Sequence, residues 1–194
     1  MQDKADKLGA QTEYSTTRGG HCTKRLLAAV GMVLQLLFWS LSWAGGADME
    51  RPRSHVPAPA FTLPTLQGET VHLRDYHGKL VLLNFWATWC PPCREEMPSL
   101  QSLWQDFKTQ DFVILAIAAD RGNKKDVARF AARLGLDFPI LLDPDGKVRR
   151  RYEVFGLPLS YLIGKDGKIL GRFTAAQTWN SSAIKDRLRT LLQD

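Results

Sequence analysis

Residues 84–93 read Asn-Phe-Trp-Ala-Thr-Trp-Cys-Pro-Pro-Cys. It begins inside the apolar run 79–86 (KLVLLNFW), which is typical of a strand buried on both faces. It ends at two prolines, which fit the first turn of a helix and would break a helix elsewhere. The sequence therefore predicts a central strand, a short loop and a helix over about residues 91–108, with Cys90 and Cys93 at the helix start.

The position of Cys90 favours a reactive thiol. A helix N-terminus presents unpaired N–H groups and about half a positive charge, which stabilise a thiolate. We therefore expect the pKa of Cys90 to lie below the ordinary value of a cysteine, and Cys90 to be the attacking sulfur. Cys93 lies one turn into the helix, so we expect it to be more buried and to resolve the mixed disulfide.

Three other uses of a Cys-x-x-Cys pair fit the sequence less well. A zinc site needs a second pair of ligands, whereas His55, His72 and His77 all lie upstream without ligand spacing. Haem attachment needs a histidine after the second cysteine, where Arg94 stands. A structural disulfide stays open, although closing a two-residue loop gains little entropy.

Strands and helices alternate outside this stretch. Short alternating strands at 61–63 and 70–73 flank a Gln67-Gly68 turn and predict a hairpin. The remaining predicted elements are a buried strand at 112–119, a helix at 123–134, an extended piece at 138–142, a short helix at 147–154, a hairpin of 159–163 with 168–173, and a helix at 181–192. This order predicts an α/β fold, with a mixed central sheet flanked by helices, in one domain of residues 61–194.

The first 47 residues have the features of an export segment. Lys24 and Arg25 precede an apolar run of 14 residues, and small side chains follow at 42–47. Cleavage as a signal peptide and retention as a membrane anchor both stay open, and both place the rest of the chain outside the cytoplasm. Residues 48–60 contain three prolines and four charged residues, which is typical of a tether.

Composition narrows the function classes. The chain has 194 residues, a net charge of +6 and three cysteines, too few for a disulfide framework. Its basic cluster at 149–151 falls short of the face of lysines and arginines that nucleic acids need, so we expect no nucleic-acid partner. Cys22 precedes the apolar run and has no expected role in the exported domain. Export leaves Cys90 and Cys93 in an oxidising compartment, where a close dithiol is typically redox-active.

Three segments resemble the TlpA/ResA-like thiol–disulfide oxidoreductases of the thioredoxin superfamily. They are residues 57–79, 84–100 and 156–172. The resemblance extends over about residues 57–192 and implies a thioredoxin-like fold with an added N-terminal β-hairpin and an inserted segment. It also implies a periplasmic enzyme that exchanges its dithiol with disulfides of cysteine-containing extracytoplasmic proteins, as a reductase with relatives in cytochrome c maturation.

The resemblance gives Glu96 a role in proton transfer. An acidic residue three positions beyond the second cysteine is a recognised feature of ResA-like members, where it could take the proton of the resolving thiol. Cytoplasmic thioredoxins have a buried aspartate at the position of Asn84, and an amide cannot titrate, so Glu96 is the candidate for that role here. The alternative is a solvated helix carboxylate near Arg94.

The segment 156–158 resembles the cis-proline loop of the superfamily, which faces the dithiol. The resemblance implies that the backbone of Leu157 pairs with the cysteine-containing segment of a partner. The expected docking residues are Trp89, Pro91, Pro92, Leu157 and Pro158. Leu159 stands where relatives commonly have threonine, which leaves the partner preference open.

We expect a monomer that needs no metal, nucleotide or haem cofactor and receives electrons from a membrane dithiol carrier. Two other functions stay open. A peroxiredoxin-type peroxidase has a related fold and a similar hairpin, but Leu83 and Ala87 stand where its Pro-x-x-x-Thr-x-x-Cys pattern needs proline and threonine. A non-catalytic metal or haem chaperone would use the two thiols as ligands.

Overall fold

The computed structural model describes residues 49–50, 56–122 and 124–193. The predicted export segment, with Cys22, lies outside the described residues, and so do residues 48 and 51–55 of the predicted tether. Within the described ranges, no helix is both long and apolar enough to cross a membrane.

The described elements follow the predicted order. They are β1 (Thr62–Pro64), β2 (Thr70–His72), a 3-10 turn (Leu73–Tyr76), β3 (Leu80–Trp86), α1 (Pro91–Phe107), β4 (Phe112–Ala118), α2 (Lys124–Leu134), β5 (Ile140–Leu142), α3 (Lys147–Arg151), β6 (Leu159–Ile163), β7 (Ile169–Phe173) and α4 (Ser182–Gln193). The prediction of a helix up to residue 154 was wrong, because α3 ends at Arg151. Glu153 has a φ of 53°, which a right-handed helix cannot contain.

Five strands form a mixed sheet in the order β5-β4-β3-β6-β7, and β1 and β2 form the separate hairpin. β3 runs parallel to β4 and antiparallel to β6. All seven residues of β3 are buried, as expected for a central strand. The predicted α/β fold with a mixed sheet and an added hairpin is confirmed.

Successive side chains of β3 enter different apolar layers, because side chains alternate across a strand. The even-numbered residues Leu80, Leu82 and Trp86 pack with residues of α1 and α4. The odd-numbered residues pack with the hairpin and α3. Asn84 is even-numbered and therefore lies on the face of the sheet that α1 covers.

The described residues of the predicted tether lie along β7. The backbones of Glu50 and Arg172 exchange two hydrogen bonds of 2.9 Å each. The side chain of Met49 packs directly on Gly171, where any Cβ would lie 2.5 Å from the methionine Cγ. The contact of residues 49–50 with β7 could not be predicted from composition, because backbone hydrogen bonds form a large part of it.

Candidate functional site

The junction between β3 and α1 holds the dithiol. Cys90 is the N-cap residue of α1, and Pro91 and Pro92 follow it in the first turn. A disulfide joins Cys90 to Cys93, with Cα atoms 5.3 Å apart. The backbone N–H of Cys93 donates to Cys90 Sγ at 3.3 Å, so the sulfur takes the capping position that an oxygen usually holds. Cys93 is fully buried and Cys90 is 4% exposed, as the helical spacing predicted.

A buried aspartate fixes the loop before Cys90. Asp120 follows β4 and accepts hydrogen bonds from the backbone N–H of Thr88 at 3.1 Å and from the Thr88 hydroxyl. The backbone N–H of Ala119 donates to the Trp86 carbonyl at 2.8 Å. Our sequence reasoning missed Asp120. A carboxylate just after β4 was a visible signal. Because β3 and β4 are parallel, their carboxyl ends lie side by side, which places Asp120 near the loop after β3.

Glu96 is a buried carboxyl on the inner face of α1, with 2% of its surface exposed. Its Oε1 accepts a hydrogen bond from Asn84 Nδ2 at 2.8 Å. Its Oε2 accepts from the backbone N–H of Gln177 at 3.1 Å and from the indole N–H of Trp179 at 2.9 Å. Three N–H donors from two distant segments therefore surround one carboxyl.

The alternative of a solvated carboxylate near Arg94 is wrong. Glu96 lies one helical turn beyond Cys93, on the face of α1 that packs against the sheet. Glu95 and Arg94 are the residues of this turn that face solvent. The sequence and the resemblance placed Glu96 near Cys93, but neither predicted how completely it is enclosed.

Burial raises the pKa of Glu96 above the ordinary value of a glutamate, because a low-dielectric surrounding disfavours the charged form. The hydrogen bonds from Asn84, Gln177 and Trp179 act in the opposite direction, and burial is the larger effect. A carboxyl with a raised pKa accepts and releases a proton closer to neutral pH, which is the range where a thiol must lose one.

Asn84 connects two strands with Glu96. Ser160 is its cross-strand partner in the antiparallel pair of β3 and β6, and Asn84 Nδ2 donates to Ser160 Oγ at 2.9 Å. Asn84 and Ser160 are both buried. Our sequence reasoning missed Ser160, although a small polar residue within each of two largely apolar strands was a signal for such a pair.

The cis-proline loop leads into the start of β6. Because β6 runs antiparallel to β3, this start lies beside the end of β3 that leads to the dithiol. The peptide bond between Leu157 and Pro158 is cis, as the resemblance implied. Leu157 is half-buried and Pro158 is buried. On the other side of the site, Trp89 is 63% exposed and both prolines of the first turn of α1 are exposed.

Phe155 is a further exposed aromatic side chain. It lies three residues before Pro158 and is 94% exposed. Our sequence reasoning did not single it out, although an aromatic residue next to Gly156 in a loop was a visible signal. Its position adds an apolar group to the loop that carries the cis-proline.

Two acidic side chains border the site, and both are hydrogen-bonded within the protein. Asp120 binds the loop, and Glu96 binds its three donors. In the part of the chain that the structure describes, no three histidine, cysteine or acidic side chains are grouped to hold a metal ion. The described site can therefore carry out thiol chemistry at Cys90 and Cys93, with the Glu96 carboxyl one helical turn away as a group that can bind a proton.

The sequence is similar to a known protein family and to proteins of known activity. The AhpC/TSA family matches residues 55–172, more than half of the chain. A thiol-disulfide oxidoreductase ResA from Bacillus thuringiensis (strain Al Hakam) is 38% identical over 153 residues, which cover 79% of this chain and 84% of the relative. The chain belongs to the AhpC/TSA family and to its ResA-like thiol–disulfide oxidoreductases. A ResA from Geobacillus kaustophilus (strain HTA426) is 39% identical over 79% of this chain and 83% of its own.

Solved structures of similar proteins have the same fold. A thiol-disulfide oxidoreductase from Bacteroides fragilis NCTC 9343 has a TM-score of 0.62 at 29% identity, covering 71% of this chain and 100% of its own. A thiol:disulfide interchange protein of the thioredoxin family from Chlorobium tepidum TLS has a TM-score of 0.63 at 25% identity, covering 74% and 99%. The predicted family, the thioredoxin-like fold and the enzyme class, a protein-disulfide oxidoreductase, are confirmed.

Proposed function

We propose that this chain is an exported reductase of disulfides in extracytoplasmic proteins, in cytochrome c maturation or a related thiol-reducing role. The observation that carries the proposal is the Cys90–Cys93 pair at a helix start, with the buried carboxyl of Glu96 one turn behind it. Export rests on the basic, apolar and small-residue pattern of residues 1–47. The direction of electron flow rests on the family resemblance.

In the first step, the Cys90 thiolate attacks one sulfur of a partner disulfide. A bond forms between Cys90 Sγ and that sulfur while the partner's S–S bond breaks, and the released partner sulfur takes up a proton. The N-terminus of α1 supports the thiolate, because Cys90 caps the helix and receives the N–H of Cys93.

In the second step, the Cys93 thiol passes its proton to Glu96, and the Cys93 thiolate attacks Cys90 Sγ. The Cys90–Cys93 bond forms, and the second partner sulfur leaves as a thiolate that takes up a proton. Two electrons have then moved from the protein to the partner. The pKa of Glu96, which burial raises, supports this role because such a carboxyl binds a proton more readily near neutral pH.

Partner segments bind across the outer rim of the dithiol. The proposed contacts are Trp89, Pro91, Pro92, Leu157 and Pro158. The exposed indole of Trp89 offers a rigid apolar surface, and the Leu157 backbone offers hydrogen bonds to an extended segment.

Each cycle leaves the protein oxidised, so a second dithiol must reduce it. We propose a membrane dithiol carrier as this donor, because an exported protein is separated from the reductants of the cytoplasm. A retained N-terminal anchor would hold the domain beside such a carrier, and a cleaved signal would release it as a monomer.

Peroxide reduction is the second candidate, because the AhpC/TSA family description covers the chain. Two residues speak against it, since Leu83 and Ala87 replace the proline and threonine of the peroxidase pattern, and both are buried side chains without a polar group. The reduced protein should consume no hydrogen peroxide without added thioredoxin. Rapid consumption of one hydrogen peroxide for each Cys90–Cys93 dithiol would favour the peroxidase.

The proposal is tested by trapping partners in vivo. A full-length Cys93→Ser variant cannot resolve the mixed disulfide, so it should accumulate extracytoplasmic proteins bound through Cys90. The variant that carries both Cys90→Ser and Cys93→Ser is the control and should capture none. A Cys93→Ser variant without adducts would contradict the exchange mechanism.

Export is tested separately from exchange. Residues 1–47 are fused to a reporter enzyme that is active only outside the cytoplasm. We expect an active reporter, and an inactive one after Lys24 to Trp39 is deleted. An intact fusion that stays silent would contradict the proposed location without touching the chemistry.

A further inference from the structure

The two oxygens of Glu96 meet different kinds of partner. Oε2 accepts from the Gln177 backbone N–H and the Trp179 indole N–H, two groups that can donate but never accept. A proton on Oε2 would point at N–H groups that offer it no acceptor. When Glu96 takes up a proton, Oε1 is therefore the oxygen that carries it.

Oε1 faces Asn84, whose amide can donate from one edge and accept at the other. In the structure, Nδ2 donates to Glu96 Oε1 at 2.8 Å and to Ser160 Oγ at 2.9 Å. Asn84 Oδ1, the opposite edge, is buried without a hydrogen-bond partner among the described residues. Half a turn of the amide exchanges two atoms of nearly equal size, so the neighbouring side chains need not move.

We propose that Asn84 is a positioning residue that rotates its amide when Glu96 changes its protonation state. With Glu96 ionised, Nδ2 donates to Oε1, which is the orientation of the amide in the structure. With Glu96 protonated, Oδ1 accepts from the O–H at Oε1, and Ser160 reverses its role and donates its hydroxyl to Oδ1. Both orientations make the same number of hydrogen bonds, one to Glu96 and one to Ser160, so the proton on Glu96 decides between them.

This inference rests on the proposed function, in which Glu96 takes the proton of Cys93. An amide fixed with Nδ2 toward Oε1 would stabilise the carboxylate alone and oppose that transfer. A rotating amide supports the carboxyl before and after the transfer. Ser160 on β6 is suited to its part because a hydroxyl can both donate and accept.

The Glu96 carboxyl accepts its hydrogen bonds from Asn84 on β3 and from Gln177 and Trp179 in the segment before α4. Cys93 lies one helical turn earlier on α1. Asn84, Gln177 and Trp179 present neutral groups, and Cys93 does not titrate while the disulfide is intact. In the oxidised protein, one proton at Glu96 should therefore decide the orientation of Asn84.

The first test needs no substitution. The oxidised full chain is labelled with 13C and 15N, and NMR follows the Glu96 carboxyl carbon from about pH 4 to about pH 10. Nuclear Overhauser contacts from the Asn84 amide protons to the Ser160 β-protons should be strong above the Glu96 titration and lost below it. Contacts that persist through the titration would overturn the proposal, since the proton would then sit on the other lone pair of Oε1.

The second test compares two donors to the same carboxyl. Trp179→Phe removes a donor that serves only the carboxylate, so it should raise the Glu96 pKa by about one unit or more. Asn84→Ala removes a partner of both protonation states, so it should shift the Glu96 pKa by less than about half as much. Equal upward shifts would overturn the proposal. Should Trp179→Phe fail to fold, the titration of the unsubstituted chain still decides.

Failure of the proposed function would be recognisable apart from failure of the switch. If Glu96→Gln leaves the pH profile of exchange unchanged while the Asn84 contacts still change with pH, the switch stands and the proton transfer from Cys93 falls. If the contacts stay constant while Glu96→Gln alters the profile, the switch falls alone. A Glu96 carboxyl that does not titrate over this range overturns both.

Discussion

On its outer side, the Cys90–Cys93 disulfide is bordered by Trp89, which is 63% exposed, and by the two exposed prolines of the helix start. On its inner side lies Glu96, which is 2% exposed and holds three N–H donors. The outer groups have no acid or base that titrates, whereas the inner group is a buried titratable carboxyl. In the proposed function, one helical turn therefore separates partner binding from proton transfer.

Substitutions on the two sides of the disulfide should have different kinetic signatures. Substitutions on the outer side should change how tightly a partner binds and leave the pH dependence as it is. Substitutions on the inner side should change the rate and its pH dependence and leave partner binding largely intact.

The largest effect is expected at the two sulfurs themselves. Cys90→Ser should abolish reduction of a disulfide-containing peptide and form no adduct, because the attacking sulfur is gone. Cys93→Ser should abolish turnover yet form the adduct on Cys90. Mass spectrometry of the unreduced digests distinguishes the two. A comparable adduct on Cys93 in the Cys90→Ser protein would reverse the proposed roles.

On the inner side, Glu96→Gln should slow the resolving step about a hundredfold, the usual effect of a lost general base. In the native chain the rate should rise with pH through the raised pKa of Glu96, because only the ionised carboxyl can accept the thiol proton. The variant should lose that rise. Glu95→Gln, at the exposed neighbouring position, is the matched control, and equal losses in both variants would place the effect in the helix charge.

On the outer side, Trp89→Ala should raise the KM for a peptide disulfide about tenfold, as loss of an exposed aromatic contact does in binding interfaces. The pH profile should stay unchanged. Val56→Ala is the matched control, since Val56 is also exposed and lies beside the start of β7, at the other end of the sheet. A shifted pH profile in Trp89→Ala would break the division between the two sides.

The smallest effect concerns stability. Burial raises the pKa of Glu96, so between its ordinary and its raised pKa the folded oxidised protein binds a proton that the unfolded chain lacks. This contribution to stability is fully present below the ordinary pKa of glutamate and is lost as pH rises through the raised pKa. Urea unfolding should therefore show a decline in that window for the native chain, and a flatter profile for Glu96→Gln. Parallel profiles would contradict the pKa shift.

Local patterns were sufficient to predict the order of strands and helices along the chain and the place of the dithiol. The apolar run of β3 and the two prolines at the start of α1 determine the structure of residues close to them in sequence. The end of α3 was mispredicted, because the left-handed φ of Glu153 depends on how the following loop is held. A glutamate gives no local sign of that conformation, unlike glycine or asparagine.

The inner side of the site could not be predicted in full from the sequence. Gln177 and Trp179 reach Glu96 from 81 and 83 positions away, and Ser160 reaches Asn84 from 76 positions away. These contacts depend on the register of β3 against β6 and on the path of the segment before α4. No short sequence pattern predicts either feature. The resemblance therefore indicated Glu96 but not its hydrogen-bond donors.

The exchange mechanism is tested most directly by the ratio of Cys90–Cys93 disulfides formed to peptide disulfides reduced. The reduced full chain is mixed with a peptide disulfide, the free thiols are alkylated at intervals, and mass spectrometry measures both products. One Cys90–Cys93 disulfide should form for each peptide disulfide reduced, after a transient adduct on Cys90. Peptide reduction without formation of the Cys90–Cys93 bond, or no reduction by a folded and fully reduced chain, would contradict it.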